Sequence, residues 1–140
     1  MKRIFLWINF VAATLITLLV FLQAYLIASF AMGAGEGALD AHGFVGGLFI
    51  HAFELIVFLS ALGAWWGAWR WIGFTFLLFF VGTVQVFLSG GEDWVGGFHG
   101  LLALVVMVMA AVIAHRGMRD LGLRRAHVEP AGGEMPPPPA

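Results

Sequence analysis

The chain has 140 residues, 61% of them hydrophobic and 11% charged, with no cysteine, a formal net charge of −1 and a mean hydropathy of +0.96. Soluble domains average about 25% charged residues, and here only Arg70 of the seven Lys and Arg lies between Arg3 and Arg116. A nucleic-acid binder, a disordered chain and a disulfide-stapled secreted domain are thereby excluded, and the composition is that of an integral membrane protein with little mass outside the bilayer.

About 20 mostly apolar residues cross the hydrocarbon, and four stretches qualify. The first, about residues 4–32, follows Met1-Lys2-Arg3. Its apolar run far exceeds the 7–15 residues of a signal-peptide core, so it is expected to be a retained transmembrane helix. The second covers about 41–66, the third about 71–89 and the fourth about 94–115. The turns between them are too short for crossovers, which predicts an all-α, up-and-down four-helix membrane bundle over residues 1–123. Residues 124–140 form a Pro-rich tail expected to be flexible or pinned by a partner.

Charge sets the expected orientation, because cationic loops stay cytoplasmic. Lys2, Arg3, Arg70, Arg116, Arg119, Arg124 and Arg125 all fall on one side of a four-span chain, while Glu36, Asp40, Glu92 and Asp93 fall on the other. Both termini are then cytoplasmic, in a bacterial inner membrane. Trp7, Trp65, Trp66, Trp69 and Trp71 gather at the inner boundary, with Trp94 alone at the outer one, as expected for a residue that prefers the headgroup level.

The two hairpins carry a weak internal repeat. Gln23-Ala24-Tyr25-Leu26 parallels Gln85-Val86-Phe87-Leu88, and His42-Gly43 parallels His99-Gly100. A pseudo-twofold axis along the membrane normal would place His42 and His99 opposite each other in the outer half of the bundle.

Polar side chains inside a span are functional candidates by default, and Gln23, His42, His51, Glu54, Gln85 and His99 stand out. Imidazole is a usual haem-iron ligand and bundle cores are common cofactor sites, so His42 and His99 are the expected axial ligands of a b-type haem. Gly46, Gly100 and Ala103 would leave room for a flat macrocycle, and Gln23 and Gln85 would bond its propionates or nearby backbone. The plainer reading of the same glycines is close helix contact.

The run Gln23…Asp40-Ala41-His42-Gly43, followed by Gln85-Val86-Phe87-Leu88…Phe98-His99-Gly100-Leu101-Leu102-Ala103, resembles a family of short, four-helix bacterial membrane proteins of actinobacterial type without an assigned function. More distantly it resembles one four-helix half of haem A synthase. The resemblance covers about residues 4–116 and implies a bis-histidine haem on the outer side. The chain is half the length of the synthase and has no acid paired with a ligand histidine, so oxidation of a haem methyl group is not expected.

His51 and Glu54 share a helical face. Nine residues at about 100° each turn His51 away from His42, so the pair should face lipid or a partner if His42 faces the haem. Three arrangements stay open: a kink at Gly46-Gly47 that turns His51 and Glu54 inward as a hydrogen-bonded pair, His51 as the alternative haem ligand, or a face docked on another subunit. No phosphate loop, no zinc signature and no cysteine nucleophile is present. The expected function is electron transfer through haem b, or service as an accessory subunit of a membrane redox or photosynthetic complex, without catalysis of its own. The expected partners are the bilayer and other membrane subunits or further copies of the chain. The alternatives are a cofactor-free assembly subunit and an oligomeric proton or cation transport protein built on His51 and Glu54.

Overall fold

The structure is a computed structural model that describes residues 1–91 and 93–123. The expectations for Glu92, Arg124, Arg125 and the tail 124–140 lie outside the described residues. Helix α1 spans Lys2–Ala31, and α2 (Glu36–Phe44) runs through a π-helical segment, Val45–Ile50, into α3 (His51–Ala64). Helices α4 (Trp69–Leu88) and α5 (Asp93–Asp120) complete the bundle. With α2, the π-segment and α3 forming one continuous span, four helices are long and apolar enough to cross a membrane. At 1.5 Å per residue even the shortest of them, α4, reaches about 30 Å.

Two helix ends differ from the sequence expectation. Helix α2 starts at Glu36 instead of about 41, so the first turn, at the end of the bundle called outer, with the end holding Lys2 and Arg116 called inner, is only Met32–Gly35 and Asp40 is helical. Gly35, at φ 87°, takes a left-handed conformation there that a side chain would resist, and Glu36 complements the helix dipole in the first turn. Helix α5 continues past 115 to Asp120. Asp120 holds this extension, accepting hydrogen bonds from Arg116 Nε and from Trp65 Nε1, both at 2.9 Å.

The helices close a square in which α1 packs on α3 and α5, and α4 packs on the same two. The dry core fills the inner part with Ala12, Ala13 and Ile16 of α1, Val57, Ala61 and Ala64 of α3, Leu78 of α4, and Val106, Ala110 and Ile113 of α5. Alanines at these crossings let the backbones approach, the main source of helix association where lipid removes the hydrophobic drive. Large apolar side chains such as Leu18, Phe21, Phe80 and Val108 point outward, as lipid-facing positions should. At the inner end Lys2, Arg3 and Arg116 border one concavity with Trp65 and Trp66, and the Arg116 guanidinium lies 5.2 Å from the Trp71 ring centre. The cations of the described residues do collect at one end of the bundle.

The π-segment sets the orientation of Glu54, which the sequence left open among three arrangements. A π turn closes i→i+5 and so advances less per residue than an α turn. Six such residues remove on the order of a quarter turn between His42 and Glu54, and the lower half of the span rotates inward. Glu54 is 1% exposed. Its Oε2 lies 3.0 Å from His51 Nδ1, and the His51 ring stacks on Phe79 of α4 with centroids 5.0 Å apart. Of the pair only His51, with 31% of its side chain accessible, keeps a face toward the outside. Within this chain the π-segment that contains Gly46 and Gly47 goes with His51 and Glu54 as a hydrogen-bonded pair.

The carboxyl of Glu54 lies against Gly82 of α4, in the space that a Cβ there would occupy. Replacing Gly82 with Val forces the carboxyl away and breaks its bond to His51. Overpacking of this kind costs roughly 1–3 kcal/mol, so Gly82→Val should lower the thermal midpoint measured by circular dichroism in detergent. Gly73→Val, on the same helix but facing open space, should leave the midpoint unchanged.

Candidate functional site

The outer half of the bundle is hollow. A cavity of about 620 Å³ opens between the outer ends of the helices, and Gln23, His42, Gly46, Gln85, His99, Gly100 and Ala103 all line it. Its floor is formed by Val20, Ile50 and Val106, which belong equally to the dry core below. The volume is in the range of small-molecule and cofactor sites, as is a mostly apolar lining with a few convergent polar groups. His51 does not line this cavity, being turned to Phe79 and Glu54.

His42 on α2 and His99 on α5 meet across the square, with ring centroids 6.1 Å apart and planes at 63°. Each is held by the same device. His42 Nδ1 is 3.2 Å from the backbone oxygen of Gln23, and His99 Nδ1 is 2.9 Å from the backbone oxygen of Gln85. A carbonyl oxygen only accepts, so both Nδ1 atoms must carry hydrogen, which leaves the Nε2 lone pair of each ring unshared by these bonds. The Gln85 carbonyl is free for this because it belongs to the last turn of α4, where Ser89 N–H bonds to Val86 instead. In the first hairpin the clasp is reciprocal: Gln23 Nε2 donates to the backbone oxygen of His42 at 2.9 Å.

The glutamines thus position the histidines through their backbones, and the Gln23 side chain bonds the chain at His42. Gln23 Oε1 is buried at the cavity wall without a hydrogen-bond partner. Gly46 is required by this clasp, because a Cβ on it would overlap Gln23 Nε2. Gly43, Gly97 and Gly100 line the cavity and border open space, so they take up almost none of it. Gly96 has a further role in the α4–α5 turn, where it lies against the Gly91 carbonyl.

Among the described residues no group of three or more His, Cys, Asp or Glu side chains could hold a bare metal ion. Two facing imidazoles suit a metal that brings its own equatorial donors. His42 and His99, with ring centroids 6.1 Å apart, would each offer one Nε2 to such a group, which would supply one-electron chemistry. Two imidazole donors beside a mostly apolar cavity are compatible in donor type and free volume with a flat macrocycle.

A polar cluster that was not singled out from the sequence lies in the inner half. Asn9 of α1 is fully buried and donates through Nδ2 to the backbone oxygen of Val57, at 2.8 Å, and to Ser60 Oγ, at 3.1 Å. An amide in the inner half of the first apolar span, apart from Gln23 nearer its outer end, was the available signal. The cluster clamps α1 to α3 and lines no cavity of the outer half. Comparison with protein-family models, curated proteins and solved structures gives no match.

The shared tautomer is directly measurable. Nitrogen NMR of the haem-free protein carrying labelled histidine should show neutral His42 and His99 protonated at Nδ1 and not at Nε2. An Nε2–H tautomer at either residue contradicts the geometry.

Proposed function

We propose that this protein is a membrane haem protein in which His42 and His99 hold one b-type haem in the outer half of the bundle, and that it passes or stores single electrons. The observation that carries this reading is the repeated Nδ1-to-carbonyl bond, which turns two otherwise separate histidines into a facing pair with Nε2 available. Such second-shell bonds fix ring orientation and raise ligand basicity in metal-binding histidines generally. A haem bound there supplies a one-electron carrier. The protein supplies the rest: Gln23 and Gln85 orient the imidazoles, the glycines of α2 and α5 leave a slot, and Val20, Ile50 and Val106 close it from below. The chain would act beside a larger membrane redox or photosynthetic complex, or as an assembly of its own copies. By the distribution of cations, the inner end with both termini faces the cytoplasm of a bacterial cell and the haem faces outward.

Protein prepared with ample haem should show a b-type α band in the dithionite-reduced minus oxidised spectrum. His42→Ala and His99→Ala should each lose the low-spin band while keeping the helical circular dichroism of the parent. Absence of any band in the parent, or a band unchanged in both variants, would overturn the assignment.

Orientation is tested separately. A fluorescent reporter that matures only in the cytoplasm, fused after Leu123, should be bright, and the same reporter inserted in the Met32–Gly35 turn should be dark. The reverse pattern rejects the proposed topology.

A further inference from the structure

The haem reading leaves one costly feature without a task. Glu54 is buried in the middle of a span, where ionisable side chains are expensive and usually functional. Its Oε2 bonds to His51, and its Oε1 has no partner in the protein. It lies one helical turn below Ile50, which forms the cavity floor, and it reaches this inward position through the π-segment, an element found mostly at functional sites. Helix α1 offers no titratable group between Arg3 and Tyr25, α4 none between Arg70 and its end at Leu88, and α5 none between His99 and His115. On its own span the nearest besides His51 is His42. The His51–Glu54 pair is thus an isolated titrating unit between the cavity and the dry core.

We infer that the His51–Glu54 pair is a proton-binding site coupled to the electron held in the cavity above it, so that gain of an electron there is accompanied by uptake of a proton by the pair. This rests on the haem reading. The balance is one electron to the iron from an external one-electron donor, an electrode in the test, and, averaged over the molecules, a fraction of one proton from water to the pair. The Oε2–Nδ1 bond holds one proton throughout; the proton taken up goes to a remaining site of the pair, Glu54 Oε1 or His51 Nε2, and the pair's net charge passes from −1 to zero at either site. Reoxidation releases both. Glu54 is twelve residues beyond His42, about 18 Å along the helix axis. A unit charge at that distance, in a medium of effective dielectric about 20, changes a binding constant roughly fivefold. By linkage, the electron and the proton change each other's affinity by the same factor.

The test is a spectroelectrochemical titration of the haem from about pH 5 to about pH 9, a range wide enough to include imidazole titration. The midpoint potential of the parent should fall as pH rises, by the equivalent of a fivefold change, about 40 mV in total for a one-electron couple. The double variant His51→Asn with Glu54→Gln should lose that part of the pH dependence and stay near the acid limit of the parent. In the parent with isotopically labelled glutamate, the reduced-minus-oxidised infrared spectrum should show a glutamate carboxyl change. A flat parent profile, a pH dependence unchanged in the double variant, or an infrared difference without a glutamate signal overturns the coupling while leaving the haem assignment intact. Absence of a b-type band overturns both.

Discussion

Hydrocarbon offers no hydrogen bonds, so polar groups in helices built to cross it depend on partners within the protein. In the outer half this requirement is met by joining each histidine to the helix that precedes it. His42 reaches back to the Gln23 carbonyl and His99 to the Gln85 carbonyl. These two bonds tie each hairpin together near its outer turn and aim both imidazoles at the bundle axis. The cavity exists because the bonds hold the rings and the glycines around them contribute no side chains. If the carbonyl partners were elsewhere, His42 and His99 would be two isolated polar residues, each needing its own partner.

A second consequence of the same constraint lies lower in the second span. A uniform α-helix could not present both His42 and Glu54 to the interior. The Val45–Ile50 π-segment changes the phase between them, and the interior then receives a histidine at one level and a carboxyl two turns below the segment's start. Gly46 and Gly47 make the distortion tolerable, and Gly46 also admits the Gln23 amide. Gly82 completes the arrangement from the opposite helix by leaving room for the carboxyl. Gly46 and Gly82 are thus placed by side chains that need space, and their effect is to put two kinds of titratable group on one interior face.

The inner half works differently. Alanine-rich crossings and the Asn9–Ser60 clamp hold α1 against α3. Asp120 gathers Trp65 and Arg116 at the inner rim. The bundle therefore has a rigid, closely packed end and a hollow end, which is the division expected of a scaffold that supports a buried site.

Much of this was legible in the amino-acid order. Four apolar runs, the confinement of cations to their inner ends and the Gln-to-His repeat depend on composition and spacing, and local hydrophobicity with short turns leaves few other ways to fold in a bilayer. Those features determined the four-helix architecture and marked His42, His99, Gln23 and Gln85 as belonging together. The early start of α2 at Glu36 and the extension of α5 to Asp120 were less visible, since both depend on partners supplied by the chain's own polar ends. Only the tertiary structure decided the direction of Glu54 and the means by which the glutamines act. The physical reason is phase: a hydrophobic run shows that a segment is helical, but not where a π turn shifts its face. A glutamine in a sequence shows an amide, whereas here it is largely the backbone carbonyl beneath it that holds the histidine.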